Sequence, residues 1–286
     1  MAKSTVYFTK EISSDSLLRI YRTLGVQLKE KVAVKLSTGE PGGHNFLQPS
    51  MIKELVKEVN GTIVECNTAY GGPRSKTKSH WEVMKKHGFL EIAPCDIMDG
   101  EKEIALEIIE GKHLKQNFVG ANLQNYGSVL ILSHFKGHVM GGFGGALKNM
   151  SIGIASAHGK SQIHNAGGFL GISKQNAFLE AMAEACKSVV DYMGSENIVY
   201  INVANRLSVD CDCDSNPAEP KMADIGIFAS SDPVAFDHAC VDAVYHSSDE
   251  GKKDLIKRIE SRNGIHTIEA AEILGLGSRE YEIVEI

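Results

Sequence analysis

The sequence predicts an α/β protein with mostly parallel sheets and helices on both faces. Three observations predict it. Strand-like and helix-like segments alternate through the first part of the chain, the pattern of repeated βα units. Several strands, "KVAVKLST" and "SVLILSHF" among them, read as buried apolar runs rather than one-sided ones. Loops rich in glycine and proline follow the strands, where α/β sheets place their ligand sites.

In order, "STVYFTK" alternates as a strand does, and "SDSLLRIYRTLG" reads as a helix closed by Gly25. "KVAVKLST" is a strand, "QPSMIKELVKEVNG" a helix, "TIVECNTAY" a strand, "SKTKSHWEVMKKHGF" a helix and "CDIMD" a short strand. "SVLILSHF" is a central strand, and "GALKNMSIGIAS" opens a helix. "HGKSQIHNAGGFLGISKQ" reads as irregular, and "NAFLEAMAEACKSVVDYMG" is the strongest helix. "NIVYINVAN" and "DIGIFASSD" are strands, "PVAFDHACVDAVYHSS" is a helix with proline at its first position, and short helices lead to a last strand, "YEIVEI". This order divides into an N-terminal α/β lobe over 1–116 and a C-terminal α/β lobe over 117–286. One continuous domain is the alternative.

Composition narrows the function. With 286 residues, 43% hydrophobic and 23% charged, the chain buries a core without staples. The net charge of −6 comes from interspersed acids and bases with no basic run, which argues against nucleic acid. No apolar stretch approaches the roughly 20 residues that span a bilayer. The N-terminus lacks the apolar core of a signal peptide, so the expected location is the cytoplasm. Cys66, Cys95, Cys186 and Cys240 sit singly in apolar surroundings and read as buried thiols. No C-x-x-C occurs, so a ferredoxin-type cluster is not expected.

Three stretches carry chemistry. "HFKGHVMGGFGGALKN" delivers His134, Lys136 and His138 from the end of a central strand. On an extended chain the three point one way, and on a helix the two imidazoles share a face. Either arrangement suits a metal or acid–base catalysis. Gly141, Gly142, Gly144 and Gly145 expose backbone N–H groups that could cradle an anion at a helix start, with Lys148 and Asn149 turned toward it. "VDCDCD" reads as extended, with Cys211 and Cys213 on one side for a soft metal and Asp210, Asp212 and Asp214 on the other. In "SSDPVAFDHAC", Asp232 caps a helix or orients a histidine. The loops "STGEPGGHNFLQP" and "NTAYGGPRSKT" form two lips, with Arg74 and Lys76 as anchors for a carboxylate or phosphate.

"HFKGHVMGGFGGALKN", "VDCDC" and "DIGIFASSDPVAFDHACVD" together resemble the uncharacterised Fe–S center protein family, a domain of unknown function of anaerobic bacteria and archaea. That resemblance implies an iron–sulfur or related metal centre and a redox partner. The ferredoxin-like insertion common after the Lys-Asn segment is replaced here by "SQIHNAGGFLGISKQNAF". A more distant similarity joins "NTAYGGPRSKT" and the His/Lys loop to the nickel-pincer lactate racemases. It implies two Rossmann-like lobes with the site in a cleft between them, Arg74 as a substrate anchor, and His134, Lys136 and His138 as cofactor or acid/base residues.

The expectation is a metal- or metallocofactor-binding protein with His134, His138, Cys211 and Cys213 as ligands to iron, nickel or zinc. Lys136, Lys148 and Asn149 would orient a small anionic ligand, and no membrane or nucleic-acid partner is expected. The alternatives are a racemase or isomerase with paired histidines, and a non-catalytic anion or metal carrier.

Overall fold

The computed structural model describes residues 3–168 and 173–286. In chain order the elements are β1 (Ser4–Thr9), α1 (Ser14–Thr23), β2 (Val32–Lys35), α2 (Pro49–Glu58), β3 (Gly61–Glu65), α3 (Thr77–Lys86) and β4 (Cys95–Ile97). There follow β5 (Glu103–Glu107), β6 (Gln116–Gly120), β7 (Ser128–His134), β8 (Lys136–His138), β9 (Gly142–Gly144), α4 (Ala146–Ile154), α5 (Ala157–His164) and α6 (Gln175–Met193). The chain ends with β10 (Ile198–Ala204), β11 (Gly226–Ser230), α7 (Pro233–His246), α8 (Lys252–Ser261), α9 (Ile265–Ile273) and β12 (Tyr281–Glu285).

One eight-stranded sheet, in the order β12-β1-β11-β10-β7-β2-β3-β4, organises the molecule. Its pairs are parallel except where β11 runs antiparallel to both β1 and β10. The mostly parallel α/β class expected from the pattern is therefore what forms. Every residue of β7 is buried, because helices cover both faces. Val129 and Ile131 join the core shared with α4, α6 and α7, while Leu130 and Leu132 join the core shared with α1 and α2. That two-sided burial is why the strand reads as an unbroken apolar run. The sheet passes directly from β2 to β7, pairing Val32 with Ser128 and Lys35 with Ile131. Strands expected in separate lobes thus share one sheet.

Capping sets the helix starts. Ser13 and Ser16 exchange side-chain-to-backbone bonds of 3.1 and 2.9 Å ahead of α1, a reciprocal box worth about 1 kcal/mol. Asp232 caps α7 by accepting from Val234 N (2.8 Å) and Ala235 N (3.0 Å).

Three segments differ from expectation. Residues 157–164 are helical, because Ser156 Oγ accepts Gly159 N–H at 3.0 Å and starts α5. Residues 169–172 of the same stretch, which also belong to the segment standing in place of the insertion, lie outside the described residues. The glycine stretch is a β-hairpin, β8 pairing antiparallel with β9. Residues 211–214 form a turn, closed by Asp214 N–H donating to Cys211 O at 2.9 Å, rather than an extended chain. No helix among the described residues is long and apolar enough to cross a membrane.

Candidate functional site

Four neighbouring strands, β3, β2, β7 and β10, end on one side of the sheet. Their last residues or following loops build the site. Glu65 closes β3, Lys35 closes β2 and His134 closes β7, while the loop after β10 carries Cys211, Asp212 and Cys213. This is the crevice beyond strand carboxyl ends that open α/β sheets use.

The floor is a buried ion network. Lys35 Nζ meets Glu65 Oε2 at 2.9 Å, and Arg74 spans Glu40 (2.8 Å) and Glu65 (3.1 Å). Thr38 N–H donates to Glu65 at 2.8 Å. Burial alone would raise the Glu65 carboxyl, but Lys35 and Arg74 beside it hold it down to about 2. Arg74, expected to anchor a substrate anion, has its charge committed to these two carboxylates and to the Tyr70 hydroxyl at 3.1 Å. Lys76 is exposed and does not line the site. Asn149 is committed too: its amide donates to Lys35 O, Leu132 O and Ser133 Oγ at 3.0–3.2 Å, pinning α4 to β2 and β7.

The hairpin explains the histidines. His134 Nδ1 faces Asp212 Oδ1 at 2.8 Å, and its Nε2 faces Asn205 O at 2.7 Å. Both ring nitrogens are thus taken up by oxygens of this chain. His134 is therefore neither a metal ligand nor a free base in this arrangement. Lys136 Nζ lies 2.8 Å from Asp212 Oδ2 and donates to His134 O at 2.7 Å, so it is a buried ion-pair partner. Burial would raise Asp212, but Lys136 and His134 hold its carboxyl well below the usual carboxylate range. Expected on the side of an extended chain away from the cysteines, Asp212 is 4% exposed and is the post on which the hairpin is tied.

The glycines approach protein rather than ligand. Gly142 has φ +82°, and a Cβ there would meet Gly264 Cα at 2.9 Å. A Cβ on Gly145 would meet Asp237 Oδ1 at 2.4 Å. That approach matters because Asp237 accepts Ala146 N–H (2.8 Å) and Leu147 N–H (2.9 Å). The N-terminal amides of α4, expected to cradle an anion, are thus already bound by a carboxylate of this chain. Gly144 and Gly145 still line the cavity, and Gly141 N–H donates to His138 Nδ1 at 2.8 Å. Asp232 stands elsewhere, accepting from Ser4 Oγ and Ser278 N, and neither lines the cavity nor orients a histidine.

Burial pushes Asp237 up to about 6, against the pull of its two amide donors and Asn202. The folded state therefore binds this proton more tightly than the unfolded chain does. Stability from this group is full below its ordinary value of 3.8 and is lost as pH rises through about 6. Asp237→Asn is expected to flatten that acid-side pH dependence while weakening the α4 start. Urea midpoints measured from about pH 4 to about pH 7 on both proteins check this.

Above the network lies a cavity of about 180 Å³. Five cationic side chains line it, Lys35, Arg74, Lys136, Lys148 and Lys160, together with the neutral polar rings of His138 and His164. Lys148 is half-buried and has neither an ion pair nor a hydrogen bond among the described residues. Desolvation, then the like charges of Lys136 and Lys35, push its amine down to about 7. His138 is held well below its ordinary value, first by burial and then by Lys148. Its Nδ1 accepts backbone N–H groups, so the ring proton sits on Nε2. Lys160 donates to Ala155 O at 2.5 Å and has no carboxylate partner among the described residues. Unlike Arg74, it lines the cavity without a carboxylate committed to its charge. Its signal in the sequence was weak, a lone lysine in a stretch read as irregular.

Cys213 lines both this cavity and an outer groove, as do Tyr70 and Val139. The Cys211–Cys213 pair is disulfide-bonded, with Cα atoms 5.2 Å apart. One ring nitrogen of His138 and the two sulfurs lie within 4.8 Å of one another. Two sulfurs and an imidazole suit a soft metal. The fit has two conditions: the sulfurs must be thiolates, and His138 joins as a neutral ligand only by giving up its Nδ1 bonds to Gly141 and Met140. The convergence of residues 134–138 with 211–213 expected from the sequence is present. Within it, His138, Cys211 and Cys213 form a possible metal site and His134 does not.

These features define a mostly parallel α/β protein with a cation-lined cavity at its strand ends. The family described as Domain of unknown function (DUF362) matches residues 32–242, and the chain belongs to it. Among solved structures it is similar to the lactate racemase apoprotein from Thermoanaerobacterium thermosaccharolyticum, at 12% identity and TM-score 0.48, covering 98% of this chain and 82% of that one. It is also similar to a protein from Thermotoga maritima, at 10% identity and TM-score 0.44, covering 91% of this chain and 58% of that one. No curated protein matches.

Proposed function

We propose that this protein is an enzyme that binds a small organic anion in the cavity and transfers a proton at a carbon next to its carboxylate. The observation that carries this reading is Lys148, an amine without a partner among the described residues and held down to about 7 inside a cavity whose other cations are already paired or anchored. Lys160 attracts the carboxylate, with the surplus positive charge of the pocket adding to it. Lys148, neutral in a substantial fraction of molecules at pH 7, accepts the proton. His138 Nε2–H donates to the oxygen on which charge develops. The base expected from paired histidines is thus a lysine, with one histidine as donor. The experiment is solvent-deuterium exchange into small 2-hydroxy and 2-oxo acids followed by NMR. Absence of exchange across that panel would overturn the reading.

A second reading is favoured by the two sulfurs at the mouth: a metal, alone or in a metal-containing cofactor, held by Cys211 and Cys213 with His138. Iron, nickel and zinc all accept such donors, and the cationic cavity would take the anionic part of a cofactor. The metal would supply electrophilic or redox chemistry, while this chain's lysines hold the ligand and exclude water. Elemental analysis and an absorption spectrum of anaerobically purified, reduced protein test it. Metal-free, colourless protein that stays so after reconstitution would overturn it.

A further inference from the structure

We propose that Cys211 and Cys213 are a reversible dithiol–disulfide site in which oxidation by a low-molecular-weight disulfide excludes a soft metal ion and reduction admits it. The metal half of this proposal rests on the second reading above.

The pair is poorly suited to be a staple. Its partners are two positions apart, and a disulfide stabilises mainly by closing long loops in the unfolded chain. It is well placed for exchange. Both residues line the outer groove, but Cys213 is half-buried there whereas Cys211 is only 4% exposed. An incoming thiolate therefore reaches Cys213 Sγ. The S–S bond breaks and Cys211 leaves as a thiolate, into a hydrogen bond from Cys213 N–H, which points at Cys211 Sγ from 3.2 Å. A second thiolate then attacks the mixed disulfide at the small molecule's sulfur and releases Cys213. Two electrons enter the protein, and the small thiols leave as their disulfide. Oxidation runs the same steps backwards.

The exclusion follows from valence. A sulfur that has formed an S–S bond is no longer a thiolate and is a poor metal ligand. Reduction turns both sulfurs into donors within 4.8 Å of His138. The other cysteines do not compete. Cys66, Cys186 and Cys240 are buried, while Cys95, expected to be buried, is half-buried; burial pushes the thiols of both Cys66 and Cys95 up to about 12.

The test uses the full chain equilibrated in glutathione buffers of graded oxidised-to-reduced ratio, then alkylated under denaturing conditions and weighed. The expected result is four alkylated cysteines in the oxidised protein and six in the reduced one, out of six in the chain and four free here. Cobalt(II) added to each sample is expected to give sulfur-to-cobalt charge-transfer absorption in the reduced samples alone, and in neither state of Cys213→Ser. Cobalt bound by reduced protein that never forms the disulfide overturns the switch and leaves the metal reading standing. A disulfide that cycles without cobalt or cadmium binding in the reduced state overturns the metal reading, and the proposal with it.

Discussion

Lys148→Ala is expected to lower proton exchange into a bound organic acid by about 10²–10⁴-fold, the usual worth of a positioned acid–base group. Lys148→Arg separates base from charge. Arginine keeps the positive charge but stays protonated at any working pH. It should lose exchange as completely as alanine does while still binding the anion. In the wild type, kcat/KM should rise with pH and level off above about 7, as the amine loses its proton. A role as a plain anion anchor predicts the opposite: affinity falling as pH rises, and Lys148→Arg near wild type. Exchange in Lys148→Arg equal to wild type would remove the lysine from the chemistry.

The sheet and the position of the cavity were legible in the sequence because both depend on local pattern. Buried parallel strands read as apolar runs, and the Gly/Pro-rich loops after β2, β3 and β7 mark their carboxyl ends. The partners of individual side chains were not legible, because they come from distant chain. His134 and Asp212 are 78 positions apart, Asn202 and Asp237 35, and Lys35 and Glu65 30. An Asp-Cys-Asp-Cys-Asp run read by period two puts its acids toward water, whereas the turn at 211–214 carries Asp212 inward to two cations. The glycines misled for a related reason. Close backbone approach was the correct inference, but what approaches is Gly264 and the Asp237 carboxylate. Arg74 lies in the loop expected, yet two glutamates from β3 and the loop after β2 reach it first. Lys148 was legible in place, but only the folded cavity shows that it has no partner among the described residues.

Glu65→Ala is expected to cost about 3–5 kcal/mol of stability, the range for breaking a buried ion pair from one side. The loss of contacts is the smaller part of this. Lys35 is 1% exposed and Arg74 4%, so removing Glu65 strands two buried cations with Glu40 as the remaining carboxylate, and of the two cations Glu40 pairs with Arg74 and not with Lys35. Thr38 also loses an acceptor for its N–H. Two controls decide between charge and packing. Glu65→Gln keeps the shape and should still be strongly destabilising, since the amide leaves the charge uncompensated. Adding Lys35→Met to Glu65→Leu removes a charge of each sign and should recover much of the loss, as apolar replacements of buried pairs do. The wild type should also weaken in acid. Glu65 is held below its ordinary 4.5, so the stability it contributes is present above that value and is lost as pH falls through about 2. Urea unfolding of the set at neutral and acid pH measures all of this. A Glu65→Ala variant as stable as wild type would show that water, rather than Glu65, balances the charges of Lys35 and Arg74.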